Sequence, residues 1–147
     1  MSNSDNPKIG AIFQKQVLGW FQDHYKGSFV MEKKLPIGEP AKDHKFDIAD
    51  SAETIAIECK RYTWTVSGNV PSAKMGFTNE AAFYLTFLPD SYEKYIVMLR
   101  DYNEKRNESL AEYYYRTNKH LLGKIKVAEY DPEKNELRIV GENCTSR

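Results

Sequence analysis

The chain has 147 residues, and its 21 basic and 21 acidic side chains give a formal net charge of zero. This length suits one domain, which buries about 70% of its unfolded surface and needs neither a disulfide nor a metal to fold. Because the charges cancel, a general electrostatic attraction to nucleic acid is excluded, and any polyanion site must be a local patch. The two cysteines, Cys59 and Cys144, form neither a disulfide framework nor a zinc spacing.

The sequence contains no candidate membrane segment. No apolar run approaches the roughly 18 residues that cross a bilayer. The start, "MSNSDNPK", is polar and lacks the apolar stretch of a signal peptide. We therefore expect a cytoplasmic protein without membrane contact, with residues 1–7 disordered and the chain 1–147 forming a single domain.

The first part of the chain predicts a helix followed by three strands. Apolar residues recur at three- and four-residue steps from Lys8 to Tyr25, which indicates an amphipathic helix that ends before Gly27. The predicted strands are "SFVMEKKLPI", "HKFDIA" and "ETIAIECKRYTWTV". The short connection "DSAE" makes the second and third strands an antiparallel hairpin.

After a loop, "SGNVPSAKMGF", the rest of the chain alternates helices and strands. A helix over "TNEAAFYLTFL" closes at Pro89, and a second over "NESLAEYYYRTNKHLL" closes at Gly123. The strand "KYIVMLR" lies between these helices, and "KIKVAEYDPEKNELRIV" reads as a C-terminal hairpin. The order α-β-β-β-α-β-α-β-β predicts one α/β domain.

Three charged residues interrupt the apolar hairpin strands "HKFDIADSAETIAIECK". Strand alternation places Asp47, Glu58 and Lys60 on one face. With a "DSAE" loop, Asp47 faces Ala56 and is the diagonal neighbour of Glu58, about 7–8 Å away. Two carboxylates this close can bind one divalent ion, and oxygen ligands are those that Mg²⁺ prefers. The backbone carbonyl of Cys59 can supply a third protein ligand.

The Lys60 side chain then projects beside the metal. An ammonium group there can hold an attacking water and offset the charge that develops on a phosphoryl oxygen. The pattern therefore predicts hydrolysis of a phosphodiester by a metal-activated water.

A structural ion-paired cluster is the alternative interpretation. Glu-x-Lys triplets are common by chance, and the chain holds a second one, Glu32-Lys33-Lys34. That triplet has no suitable carboxylate on a pairing strand, so we interpret it as a solvated edge. Buried charges cost free energy unless they are paired or bound to metal, which favours a functional reason for the central triplet.

The pattern Asp47, ten residues, then Glu58-Cys59-Lys60 resembles the signature of the PD-(D/E)XK nuclease superfamily, which includes many restriction endonucleases, Holliday-junction resolvases and repair nucleases. The core order of that superfamily is helix, three antiparallel strands, helix, strand, and residues 8–100 reproduce it. The resemblance implies a restriction endonuclease-like core with a mixed central sheet flanked by helices, to which a C-terminal helix and hairpin are added. It also implies that Asp47 and Glu58 bind Mg²⁺, with Mn²⁺ as a substitute, and that Lys60 is the catalytic lysine.

Two positions depart from the superfamily pattern. Phe46 precedes the aspartate in place of the proline of the name. On the first helix, "GAIFQKQV" places Gln14 where many members carry a glutamate. Glutamine can hydrogen-bond a metal-bound water but brings no charge, so Gln14 is retained as a candidate catalytic residue without a ligand role.

The segment after the triplet supplies candidate contacts to nucleic acid. Aromatic rings can stack on bases, and basic or polar groups can meet the phosphate backbone. The candidates are His44, Arg61, Tyr62, Trp64, Asn69, Ser72 and Lys74. If the strand continues, Tyr62 and Trp64 share a face with Glu58. Alternatively, Trp64 caps the core, and His44 begins a strand and bonds locally.

The leading hypothesis is a Mg²⁺-dependent DNA endonuclease, with DNA favoured over RNA and a homodimer expected because cutting both strands needs two sites. A second hypothesis is a nucleic-acid- or protein-binding module on the same fold, with weak or absent catalysis. A third is an interaction protein in which the three charges are only an ion-paired cluster.

Overall fold

The first helix begins where the sequence supplies a cap. The computed structural model describes residues 6–141. Helix α1 spans Pro7–His24, and the Asn6 side chain accepts a hydrogen bond from the Lys8 N–H at 2.9 Å. The predicted helix is confirmed to within one residue at each end. Of residues 1–7, for which disorder was expected, Asn6 caps the helix and Pro7 begins it, while residues 1–5 and Cys144 lie outside the described residues.

Within residues 6–141, six of the eight strands form one mixed sheet. The strands are β1 Phe29–Ile37, β2 Lys42–Asp50, β3 Ile55–Lys60, β4 Glu93–Leu99, β5 Tyr102–Asn103, β6 Glu108–Ser109, β7 Lys126–Asp131 and β8 Glu136–Ile139. The large sheet has the order β1-β2-β3-β4-β7-β8, and β5 and β6 form a separate two-stranded ladder. β1, β2 and β3 are antiparallel neighbours, β4 is parallel to both β3 and β7, and β8 is antiparallel to β7.

Helices cover both faces of this sheet. Helix α2 spans Ser72–Thr86, α3 spans Leu110–Asn118, and a 3₁₀ turn follows α3. The α1-side core contains Phe13, Val17 and Phe21 of the helix with Ile48, Ile57 and Val97 of the sheet. The α2-side core contains Phe46, Ala56, Ile96 and Met98 of the sheet with Leu85 and Tyr114 of the helices. The predicted α/β fold with a mixed sheet is confirmed.

Strand β3 is shorter than predicted. Its ladder with β4 ends at the pair Lys60↔Met98, and the segment that follows is not a strand. The Trp64 N–H donates to Asp101 Oδ2 at 2.9 Å, and the indole Nε1 donates to the Asp101 carbonyl at 2.8 Å. Because these bonds hold the segment, the expectation that Tyr62 and Trp64 continue the strand beside Glu58 is wrong.

Helix α2 begins at Ser72, well before the predicted start at Thr78. Thr78 lies inside the helix, where its hydroxyl donates to the Lys74 carbonyl at 2.9 Å and is thereby satisfied. Half of the predicted loop is therefore helical.

Among the helices of residues 6–141, none has the length and apolar character of a membrane span.

Candidate metal and catalytic site

A tight turn sets the register of β2 against β3. The Asp50 carboxylate accepts hydrogen bonds from the Thr54 N–H at 2.7 Å, the Ile55 N–H at 2.9 Å and the Thr54 hydroxyl. The loop is therefore residues 51–54, and the paired residues are Ile48↔Ile57 and Ala49↔Ala56.

This register corrects the predicted one by two residues. The regular pairing ends at Ile48↔Ile57, so that Asp47 and Glu58 are the next residues along the two strands, whereas the sequence predicted Asp47 opposite Ala56. The difference arises because Asp50 belongs to β2 and caps the turn with its side chain, instead of opening the loop. The two acids are in contact across the strands, because the Asp47 N–H donates to Glu58 Oε1 at 3.2 Å and the Asp47 carboxylate acts on the pKa of Glu58.

Both ladders of β2 are distorted at Asp47. Toward β3, the Asp47 N–H donates to Glu58 Oε1 at 3.2 Å and the Cys59 N–H donates to Asp47 Oδ2 at 2.7 Å. At this position the backbone N–H groups of Asp47 and Cys59 therefore donate to side-chain carboxylates and not to backbone carbonyls of the neighbouring strand. Toward β1, the ladder runs regularly on either side of this position but omits a pair between Asp47 and Glu32, and Glu32 has a φ of 57°.

The distortion also changes which side chains share a face. Phe46 packs in the α2-side core, whereas Ile48 packs in the α1-side core. Regular alternation through Asp47 would put both side chains on one face, so the strand does not alternate regularly at this residue. β3 stays regular: Glu58 and Lys60 pair with Ile96 and Met98, which face α2.

Glu58 is a buried acid, 5% exposed, beside a second acid. Its Oε1 accepts the Asp47 N–H, and its Oε2 lies 3.1 Å from His44 Nε2. Burial and, second to it, the Asp47 carboxylate raise the pKa of Glu58 to about 9, against a smaller lowering by Lys60. At neutral pH the carboxyl of Glu58 therefore holds a proton, as one member of a close pair of acids does.

His44 connects this pair to helix α2. Its ring stacks on Tyr84, with centroids 3.9 Å apart, and meets Phe46 edge-on at 4.5 Å. Burial lowers the pKa of His44, an effect that Asp47 and Glu80 oppose. The lowered pKa makes the imidazole neutral at pH 7, so Nε2 can donate to Glu58 without bringing a positive charge. His44, which the sequence also predicted to begin a strand and bond locally, therefore contacts the candidate site through Glu58.

Lys60 brings the positive charge. Within residues 6–141 its ammonium group has no hydrogen-bond or ion-pair partner, although its charge lowers the pKa of both Glu58 and His44. A half-buried cation near two carboxylates and free of a fixed bond can donate to an incoming anion.

The Gln14 side chain contacts the backbone of Asp47. Its Nε2 donates to the Asp47 carbonyl at 3.1 Å, which holds β2 against α1 at the point where the ladders are distorted. Gln14 is therefore a positioning residue. Cys59 packs against the α1-side core, and burial raises the pKa of its thiol well above the ordinary value, so the thiol is a poor nucleophile.

The donor chemistry at Asp47 and Glu58 fits a hard divalent cation. The two acids are in contact, and burial together with the Asp47 carboxylate raises the pKa of Glu58, a cost that a bound cation would offset. Among residues 6–141, no three His, Cys, Asp or Glu side chains are grouped with the spacing of a metal site. An ion held here would complete its shell with water and backbone oxygen, which Mg²⁺ accepts.

The other candidates for nucleic-acid contact are scattered. Lys74 lies over the Tyr62 ring, 5.6 Å from its centroid. Trp64 is 8% exposed, and Arg106 covers its ring at 4.8 Å, so the structure favours core packing for Trp64. Arg61 is half-buried just after β3, Asn69 lies in an exposed turn, and Ser72 begins α2.

Sequence reasoning missed the part of α2 that borders the site. Tyr84 stacks on His44, and Phe83 and Phe87 are exposed beside it. Three aromatic residues within one helical turn and a half of "FYLTF" were the available signal, since an ordinary core helix does not expose two of them.

No family model, curated protein or solved structure matches this chain.

Proposed function

We propose that this protein is a Mg²⁺-dependent nuclease that hydrolyses phosphodiester bonds in DNA. The observation that carries the proposal is the contact between the two acids, in which the Asp47 N–H donates to Glu58 Oε1 at 3.2 Å. Lys60 lies on the same face of β3 as Glu58 and has no fixed partner in the described part of the chain. A buried, repelling pair of acids costs stability, and a role in binding a cation gives it a reason.

Asp47 and Glu58 are the proposed ligands of Mg²⁺ or Mn²⁺, with the Cys59 carbonyl as a further ligand. When bound, the ion supplies a Lewis acid for the phosphodiester and lowers the pKa of water. The ammonium of Lys60 donates to the phosphoryl oxygen and offsets its growing charge. His44 orients Glu58 through the 3.1 Å contact, and Gln14 fixes the backbone of Asp47.

The element order supports the proposal further. The order α1-β1-β2-β3-α2-β4, with the first three strands antiparallel and β4 parallel to β3, is compatible with the restriction endonuclease-like core of the PD-(D/E)XK superfamily. We propose that this is the core of the protein, with α3, β7 and β8 as additions. A homodimer is proposed because two sites are needed to cut both strands of a duplex.

The test incubates purified protein with supercoiled plasmid, branched DNA and RNA, in Mg²⁺, in Mn²⁺ and in EDTA. We expect DNA to be cut only when a divalent ion is present and the cleavage to be abolished in Asp47→Asn. Asp23→Asn, an exposed aspartate on α1, is the matched control and should cut like wild type. The proposal fails if no substrate is cut, or if Asp47→Asn is as active as the control.

A binding module with weak catalysis is the second candidate. The neutral Gln14, bonded to a backbone carbonyl, and the zero net charge favour it. Calorimetric titration with Mn²⁺ separates the two candidates. A nuclease should bind Mn²⁺ and lose this binding in Asp47→Asn, whereas a module should bind DNA equally well with and without the ion.

A further inference from the structure

We propose that the groove between α2 and the turn connecting β1 with β2 binds one unpaired nucleobase of the DNA strand, next to the proposed cleavage site. The inference rests on the proposed function and names the class of substrate: DNA with unpaired nucleotides at the scissile position.

The groove has the size and walls of a small-ligand site. It encloses about 440 Å³, within the range of roughly 300–1,000 Å³ that is usual for ligand pockets. Helix α2 forms one wall with Phe83, Tyr84 and Phe87. The strand ends of β1 and β2 form the other with Ile37, Lys42 and His44.

The helical wall presents aromatic surface to solvent. Phe83 is 59% exposed and Phe87 is 45% exposed, and their rings meet edge-to-face at 5.0 Å and 86°. Stacking on such rings is available to every base, because every base has a π-face. The stacked rings of Tyr84 and His44 form the floor beside them.

His44 makes the groove continuous with the proposed catalytic site. One side of its ring stacks on Tyr84, and its Nε2 lies 3.1 Å from Glu58. A base held in the groove therefore belongs to a nucleotide at or beside the phosphate that meets Asp47 and Glu58. At the rim, the exposed Lys42 can meet a phosphate of the same strand, while its neighbour Asp43 also lines the groove and brings the opposite charge.

The shape and polarity of the groove select an unpaired base. In a duplex both faces of a base are stacked and its pairing edge is covered, so a paired base cannot enter until it leaves the stack. The wall that carries Lys42 and His44 is polar, which suits a ligand with an apolar face and a polar edge better than an apolar side chain of a second protein. We therefore expect single-stranded, flapped or branched DNA to be preferred over intact duplex.

The test uses fluorescein-labelled DNA duplexes with a short single-stranded flap, whose junction fixes the register, and one abasic unit is moved along the flap. Binding is measured by fluorescence anisotropy in Ca²⁺, to suppress cleavage. We expect the abasic unit to raise the Kd of the wild-type protein about tenfold at one position only. The double variant Phe83→Ala/Phe87→Ala should bind the intact strand about tenfold more weakly and show no position dependence.

Phe77→Ala is the matched control, because Phe77 is exposed on the same helix but does not line the groove. It should behave like wild type. Circular dichroism and sedimentation of each variant check the fold and the oligomeric state. The inference is overturned if the wild-type scan is flat, if DNA does not bind, or if Phe77→Ala has the same effect. A double variant that changes only the oligomeric state also overturns it, since the groove is then a protein contact.

Cleavage in Mg²⁺, measured on the same strands, separates this inference from the proposed function. Position-dependent binding without cleavage contradicts the proposed nuclease activity but supports the binding of a base in the groove. Cleavage with a flat scan contradicts the groove alone.

Discussion

Glu58 couples the stability of the protein to pH. Burial raises its pKa from 4.5 to about 9, so between these values the folded state holds a proton that the unfolded state has released. The free energy of unfolding without a divalent ion should therefore fall as the pH rises through this window. Urea unfolding in EDTA at a series of pH values measures this slope, which Glu58→Gln should reduce.

The second Glu-x-Lys triplet supplies the control for this prediction. Glu32 is an exposed carboxylate on β1, and Glu32→Gln should keep the wild-type dependence on pH. A wild-type protein whose stability rises across the window, or a Glu58→Gln variant with an unchanged slope, contradicts the assigned pKa. Because a bound cation needs ionised ligands, Mn²⁺ affinity should rise with pH over the same range.

The charged residues of the site could be predicted from sequence, whereas their contacts could not. Asp47, Glu58 and Lys60 stand out because they interrupt apolar strands. The stacking of His44 on Tyr84 joins residues far apart in the chain, and no local pattern encodes it. Gln14 was identified by position in the helix, but its bond to a backbone carbonyl follows only from how α1 packs on β2.

At the scale of elements, the turn between β2 and β3 determines how the site is assembled. The Asp50 carboxylate satisfies two backbone N–H groups and a hydroxyl. Burial raises the pKa of Asp50, but hydrogen bonds from Thr54 and Ile55 outweigh this and leave it lowered, so the group is ionised at neutral pH.

Asp50→Ala should therefore lower the free energy of unfolding by about 2 kcal/mol, because hydrogen bonds to a charged acceptor are lost in a buried place. Urea unfolding measures the change. Asp43→Ala, an exposed aspartate of the same strand, should cost less than about 0.5 kcal/mol. Equal costs for the two variants would show that the Asp50 bonds do not hold the turn.

The turn also explains why the register could not be predicted. From sequence, Asp50 is an ordinary loop-former, and counting it in the loop shifts the pairing by two residues. Likewise, the bonds from Trp64 to Asp101 end β3 early, and they link residues 37 positions apart. Tertiary contacts of this kind override local strand propensity.

At the scale of the whole molecule, one buried carboxylate joins the C-terminal elements to the sheet. Glu129 of β7 is 2% exposed and accepts hydrogen bonds from Arg100 at 2.6 Å, Ser109 at 2.6 Å and Arg138 at 2.8 Å. These partners lie after β4, in β6 and in β8, so a single side chain connects four parts of the fold.

Glu129→Gln should lower the free energy of unfolding by about 2 kcal/mol, since it removes the charge that two arginines share and leaves them incompletely paired. Urea unfolding at neutral pH measures the loss. Glu133→Gln, an exposed residue of the turn between β7 and β8, is the control and should be close to neutral. A neutral Glu129→Gln variant would mean that apolar packing alone holds these elements.

The order of the main elements could be predicted because apolar periodicity and turn residues mark them locally. The position of β7 beside β4 and the small β5–β6 ladder could not, because strand order depends on contacts distant in sequence. The Glu129 cluster was missed for the same reason. Within "KIKVAEYD" a single glutamate is indistinguishable from a solvent-facing one.

The most direct test of the proposed nuclease compares two lysines in the same sequence context. Lys60 and Lys34 each end a Glu-x-Lys triplet, but Lys34 is exposed on β1 and pairs with Lys45, whereas Lys60 lies on β3 with Glu58. The measurement is the single-turnover rate of DNA strand cleavage in Mg²⁺ by wild type, Lys60→Ala and Lys34→Ala. The account predicts that Lys60→Ala slows cleavage on the order of 100-fold or more while Lys34→Ala leaves it within about twofold. Equal rates for the two variants would contradict the catalytic role of Lys60 and the assignment of this site.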